Sequence, residues 1–366
     1  MMTSSKQIIG AALNPMGYTH FTDHLAAVAV TMQIPLIFTD IDHFEQSQRL
    51  YPDLKVELHD WQAFTPHYIV EHYDVLFVSE MWDKKQLRAK FEQSEKALNK
   101  QLRIVHCPHG FSDKGFWFEH CLEQDITLAY GKNMLDLIVI RRPEAVLPNY
   151  VITGNLRHRY YMEHREAFDA VTHTDVFSRF AKQQPTILYA PTWRDSEDST
   201  SFFQAAKAIL SGLPKHYNLI VKLHPNLEHD HDHMIDVYEI ISKYENEPNV
   251  VMLTEFPLIY PLAAKCDIYI GDRSAVGYDW LTFRKPMFFL TRGQRQPYLS
   301  RCGVVVDENN FESIYDVIEQ SLPSDHHFKD IRDEVYHYTF GSERSFETVK
   351  QEVLAAVTRP RSLSVD

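Results

Sequence analysis

The chain of 366 residues holds only four cysteines, Cys107, Cys121, Cys266 and Cys302, and no two of them have C-x-x-C spacing. That scarcity excludes a disulfide framework and a cysteine metal ribbon, and it fits a reducing compartment. Cys107 and Cys266 stand in apolar, strand-like surroundings, where a free thiol behaves as a small hydrophobe. Long apolar runs are also lacking. None approaches the ~20 residues of a membrane span, and Ile8 to Leu13 is too short for a signal sequence and reads as a first strand. Positive charge is in short supply, with 37 Lys and Arg against 50 Asp and Glu, a net charge of −13. A general basic surface for nucleic acid or anionic lipid is thereby excluded. There is no G-x-G-x-x-G, no Walker A loop and no G-x-S-x-G elbow, so three common α/β chemistries lose their support. No internal repeat is evident.

What is present is a soluble composition, 44% hydrophobic and 24% charged, in a chain long enough for two domains. Short apolar runs alternate with helical patterns, the signature of parallel-sheet α/β units. Strands are expected at 7–13, 34–38, 55–58, 74–78, 102–107, 125–129 and 148–153, then at 186–190, 217–223, 249–253, 266–270, 286–290 and 303–306. Helical patterns fill 20–32, 83–99 (with Asp83 as its cap), 131–138, 199–211, 232–243, 258–264, 274–283, 311–321 and the stretch 326–358. This predicts an N-terminal α/β domain over 1–155, a helical connector over 156–185 stopped by Pro185, and a C-terminal α/β domain over 186–366. The last helix, 342–358, is expected to pack back on the N-terminal domain. Two such halves suggest facing doubly wound, Rossmann-like domains with a ligand cleft between them.

Four segments lie where an apolar run gives way to a turn, and open α/β sheets build their sites at strand carboxyl ends. Pro108-His109-Gly110 follows the run 102–107. There, His109 suits a general base on an acceptor hydroxyl, and Lys114 suits phosphate charge; His106, inside the strand, reads as packed. Tyr189-Ala190-Pro191-Thr192-Trp193-Arg194 ends on an arginine suited to bidentate phosphate binding, or to a surface ion pair with Asp195 or Glu197. In Val221-Lys222-Leu223-His224-Pro225 the proline stops the strand, so His224 is presented at its end, where imidazole can donate to a phosphate oxygen. In the last segment, Gly271 permits close backbone approach and Ser274 caps a helix whose start offers amides to an anion. The run His229-Asp230-His231-Asp232-His233 could bind metal, but a solvated helix start is the favoured reading.

Together these segments resemble the CDP-glycerol glycerophosphotransferase family, which includes teichoic acid polymerases and primases. That family shows H-G-x-x-x-K, Y-A-P-T-W-R, K-L-H-P and an S/T-D-x-S-S-x-x-x-D-like segment. Here they fall in that order at His109 to Lys114, Tyr189 to Arg194, Lys222 to Pro225 and Gly271 to Asp279. The chain departs at Phe111-Ser112, where the family often has Thr-Pro; at Asp272-Arg273-Ser274-Ala275, which lacks one hydroxyl; and at Phe340-Gly341-Ser342, where many members have Asp-Gly.

The resemblance implies a GT-B-like pair of domains and transfer of a polyol phosphate, glycerol phosphate first, from a CDP-activated donor to a hydroxyl acceptor in cell-surface polymer or glycolipid synthesis, with release of CMP. It implies His109 and His224 as catalytic residues. Donor phosphates would meet Arg194, Thr192, Ser274, Ala275 and Gly271, with Lys114, Gly110, Lys222 and Asp279 in support and Asp279 either shaping its helix or contacting the donor. Neither a metal nor another cofactor is required by the sequence. The expected partners are the CDP-polyol and an acceptor that can be lipid- or polymer-linked, not nucleic acid. Location would be cytoplasmic, with peripheral contact at the inner membrane face. A GT-B sugar-nucleotide enzyme (a glycosyltransferase or UDP-sugar epimerase) and a non-catalytic nucleotide-binding protein are the alternatives.

Overall fold

A computed structural model describes residues 10–14, 19–79, 84–114, 124–144, 149–195, 199–228, 234–293 and 298–359. Its contacts divide the chain into two compact units. One gathers the described residues within Met1–His109, Trp117–Tyr160 and Ser342–Asp366; the other gathers those within Gly110–Phe116 and Tyr161–Gly341.

The first unit is built on seven parallel strands: β1 (Gly10–Asn14), β2 (Leu36–Phe38), β3 (Val56–Leu58), β4 (Val75–Val78), β5 (Arg103–His106), β6 (Ile126–Ala129) and β7 (Asn149–Ile152). Their order is β3-β2-β1-β4-β5-β6-β7, so the winding reverses between β1 and β4. β1, β4, β5 and β6 are buried throughout, whereas β3 and β7, at the sheet edges, are partly exposed. That is why the central strands read as unbroken apolar runs: a parallel sheet covered on both faces leaves no polar side. The helix Thr19–Met32 packs on β1, and the helix Phe346–Thr358, capped by Ser345, packs on β7 and on Thr19–Met32. Two helices that the periodicity does not announce, Ile41–Leu50 and Pro66–His72, start at side-chain caps from Asp40 and Thr65. The expected cap Asp83 lies outside the described residues.

The second unit has six parallel strands: β8 (Thr186–Ala190), β9 (Asn218–Lys222), β10 (Val250–Leu253), β11 (Ile268–Gly271), β12 (Met287–Thr291) and β13 (Val304–Asp307). Their order is β10-β9-β8-β11-β12-β13, with the reversal between β8 and β11. Its core joins Tyr189, Leu219, Val221, Ile268 and Ile270 of the sheet to Phe202, Ile209, Ile314 and Ile318 of the flanking helices. Cys266 is not in β11 as the apolar run suggests. Its amide closes the helix Tyr260–Lys265 by donating to the Leu262 carbonyl (2.9 Å), and the strand starts two residues later. The terminal helical stretch is broken at Gly341, which ends the helix Lys329–Phe340 at φ +68°, a conformation that favours glycine. Among the described residues no helix is long and apolar enough to cross a membrane.

Candidate active site

The two central strands of the second sheet, β8 and β11, are where its winding reverses, and their last residues, Ala190 and Gly271, are paired in register. A doubly wound sheet opens a crevice at such a switch point, because the connections leave in opposite directions. The chain there runs on into Pro191 to Asp195 and into Asp272 to Ser274. β9, beside β8, delivers His224 two residues past its end. The segment Gly110–Lys114 also belongs to this unit. All four sequence segments therefore contribute residues to one side of one sheet.

A buried polar network ties them together. Lys114, 5% exposed, donates through Nζ to the Thr192 hydroxyl (2.7 Å) and pairs with Asp195 Oδ2 (2.7 Å). Asp272 accepts the Thr192 amide (2.9 Å) and the Ser201 hydroxyl. Arg273 donates to the Asp113 carbonyl oxygen (2.7 Å), and the Asp113 carboxylate accepts the Tyr298 amide (2.9 Å). Burial pulls the Lys114 ammonium below its ordinary pKa against the pull of Asp195. Burial alone would raise Asp195, but the Lys114 cation and the Ser199 bonds outweigh it and hold the carboxyl below its usual range. Asp272 goes the other way: burial pushes it up to about 6, in spite of the bonds from Ser201 and Thr192.

These contacts revise several residue readings. The Lys114 charge is matched by Asp195, so this lysine is a tie between the Gly110–Lys114 segment and the end of β8 rather than a surface ligand. Thr192 faces inward, its amide and hydroxyl engaged by Asp272 and Lys114. Gly271 leaves its space to the buried Tyr269 ring, whose Oη would lie 2.1 Å from an added Cβ, so its small size serves packing rather than ligand approach. Gly110 is where close approach matters: an added Cβ would sit 2.6 Å from Cβ of Ala275. Asp279 is buried and accepts the Tyr260 hydroxyl (3.0 Å), which shapes its helix. Asp195, offered by the sequence only as an alternative ion-pair partner of Arg194, is paired with Lys114.

The other motif residues differ in exposure. Arg194 is exposed; His224 and Lys222 are half-buried. The Asn226 amide donates to His224 Nδ1 (3.1 Å), so the neutral ring carries its proton on Nε2, a donor. The Trp193 ring lies 6.1 Å from that imidazole, centroid to centroid. Ser274 precedes the helix Ala275–Trp280, but its side chain makes no capping bond; its hydroxyl is 3.4 Å from the Tyr269 hydroxyl.

His109 belongs to the first unit and follows β5. Its ring meets Phe21 (4.8 Å) and His20 (5.1 Å), both on the helix Thr19–Met32. His106 is buried inside β5. The histidine run 229–233 lies outside the described residues, and among those described no group of three or more His, Cys, Asp or Glu is placed to hold a metal. Asp113, Asp195, Ser201 and Arg273 escape sequence reasoning as site residues. Only the charge at Asp113 and Arg273, within motif segments, could have signalled them.

Residues 164–321 match the family described as CDP-Glycerol:Poly(glycerophosphate) glycerophosphotransferase. The class is thus a transferase enzyme of glycerophosphotransferase type, on two doubly wound parallel-sheet units of GT-B-like kind. The family resemblance carried by the four motifs is that same CDP-glycerol glycerophosphotransferase family, and the matched segment takes in β8 to β13. Solved structures share the fold. A variant of the wall teichoic acid polymerase TagF soaked with CDPG aligns with TM-score 0.64 at 12% identity, over 95% of this chain and 88% of that one. S. aureus MnaA with UDP aligns at 0.58 and 12%, over 95% of each chain. The UDP-GlcNAc 2-epimerase of Neisseria meningitidis bound to UDP-GlcNAc gives 0.58 and 12%, over 95% and 99%. At such identities the likeness is one of fold. No curated protein matches the chain.

Proposed function

We propose that this enzyme transfers glycerol phosphate from CDP-glycerol to a hydroxyl acceptor and releases CMP. The acceptor oxygen attacks the β-phosphorus; the new O–P bond forms as the bond from that phosphorus to the bridging oxygen breaks, and CMP leaves with the electron pair. His109 takes the hydroxyl proton. His224, through Nε2–H, and Arg194 stabilise charge on the donor phosphates, with the Ser274 hydroxyl beside them. Such chemistry needs alignment and charge stabilisation more than covalent catalysis.

The observation that carries this reading is that Gly110–Lys114 of the first motif and the other three motif segments meet near the β8–β11 switch point, in the unit that contains the matched residues 164–321. The CDPG-soaked TagF variant, which shares the fold, makes a CDP-polyol the first donor to try. If its acceptor is lipid-linked, the enzyme would reach it from the inner membrane face.

The test is CMP release from CDP-glycerol with poly(glycerophosphate) as acceptor. His109→Ala and His224→Ala should each lower it by about 10²- to 10⁴-fold while leaving the thermal unfolding transition in place. Near-normal rates in both would remove the proposal. CDP-glycerol and CMP should raise the unfolding temperature more than UDP-GlcNAc does, since a ligand that binds only the folded state stabilises it; the reverse order would favour a sugar-nucleotide enzyme.

A further inference from the structure

The helix Thr19–Met32 brings three residues to the end of β5. His20 and Phe21 pack on the His109 ring. His24, one turn on, reaches the Tyr130 hydroxyl, which stands 3.3 Å from its Nδ1. That hydroxyl in turn donates to the carbonyl oxygen of Pro108 at 2.6 Å. Pro108 is the residue before His109, so its carbonyl forms the peptide plane from which His109 hangs.

Proton bookkeeping sets the direction of this chain of bonds. A phenol has one proton, and the short contact to Pro108 uses it. Toward His24 the Tyr130 oxygen can then only accept, so the imidazole proton sits on Nδ1. A neutral ring then leaves a bare lone pair on Nε2, and Nε2 has no hydrogen-bond partner among the described residues. A charged ring would instead bury an unanswered N–H. The surroundings agree, since burial first, then Arg157, His109 and His106, hold His24 well below its ordinary pKa. Arg157 itself is turned to Asp23 (3.5 Å), which also receives the Tyr51 hydroxyl (3.4 Å).

We infer that Tyr130 and His24 are positioning residues for His109: His24 orients the Tyr130 hydroxyl, and that hydroxyl pins the Pro108 carbonyl and with it the backbone that presents the base. The pair touches no reacting atom. The inference rests on the reading of His109 as the base, and it places the residues that tune this base in elements outside the four motifs.

Tyr130→Phe removes one oxygen and keeps the ring, so the unit should fold. Its kcat for CMP release from CDP-glycerol, with poly(glycerophosphate) as acceptor, should fall by about 10- to 100-fold, the scale of a misplaced catalytic group, while the KM for CDP-glycerol changes less than about twofold because the donor residues are elsewhere. The double variant Tyr130→Phe/His109→Ala should be no slower than His109→Ala alone, since a residue that acts through another adds nothing once that other is gone. His24→Asn, which keeps a donor near the Nδ1 position, should retain more activity than His24→Leu. Two failures are distinguishable. If His109→Ala destroys activity but Tyr130→Phe is within twofold of wild type, or if the two losses simply multiply, the positioning role is overturned and the proposed function stands. If His109→Ala is near normal, the base assignment fails, and positioning is then judged by the His109 backbone amide resonance, which must move in Tyr130→Phe; an unmoved resonance overturns it.

Discussion

Asp272→Asn removes a charge and keeps a shape. In the wild type the carboxyl is buried beneath the end of β8, and burial, offset in part by the Ser201 hydroxyl and the Thr192 amide, raises its pKa from 3.8 to about 6. The folded state therefore binds this proton more tightly than the unfolded chain does. For such a group stability is greatest below the unfolded value and is lost as pH rises toward the folded one. The interval from 3.8 to about 6, at 1.36 kcal/mol per pH unit, amounts to about 3 kcal/mol. Other groups titrate nearby with the opposite sign. His24, held well below its ordinary 6.5, makes the fold more stable as pH rises toward that value. The whole-protein curve thus mixes terms, but the difference between wild type and Asp272→Asn isolates one. Urea unfolding of both proteins between about pH 4 and pH 7.5 measures it. Relative to the variant, the wild type should lose about 3 kcal/mol across that range, most of it between about pH 4 and 6. A constant offset from loss of a hydrogen bond changes nothing in this comparison. A difference that is flat with pH, or one that grows in favour of the wild type, would refute the reasoning.

The network makes two further demands. Lys114→Met leaves the Asp195 carboxylate, whose side chain is 0% exposed, without its cation; unfolding free energy should drop by about 3–5 kcal/mol, and Lys114→Met/Asp195→Asn should recover much of it in the same urea titration. Gly110→Ala puts a Cβ 2.6 Å from that of Ala275. The cost should be about 1–3 kcal/mol by overpacking, and Gly110→Ala/Ala275→Gly should restore stability, whereas equal losses in the single and double variants would show that the contact is not the cause.

The strands were legible because parallel strands covered on both faces read as apolar runs, and β4, β5, β8 and β9 each lie inside the run that announces them. What blurred the edges was burial without strand structure: Cys266 is as apolar in context as Ile268, yet its amide is spent closing a helix. The helices Ile41–Leu50 and Pro66–His72 were lost because their starts depend on single caps, Asp40 and Thr65, rather than on a long apolar period. For the site, the motif residues could be named one by one, but their division of labour could not. A buried lysine and an exposed one have the same letter, and only the fold reveals that Lys114 meets Asp195.

That division has a consequence for how the motifs should be tested. Lys114, Thr192, Asp272 and Asp279 are buried and bound to protein partners, while Arg194 is exposed and His224 half-buried with its protonated nitrogen set by the Asn226 amide. One short motif, Tyr189 to Arg194, thus contains an inward anchor at Thr192 and an exposed cation two residues later. Because a buried charge that loses its partner costs far more than an exposed one, substitutions in the first group should register as lost stability, with activity following the folded fraction. Those in the second should register as lost rate in a protein that unfolds as before. Loss of activity alone would not tell the groups apart. Measuring unfolding and CMP release on the same preparations would, and a stable but inactive Lys114→Met would move that residue from anchor to ligand.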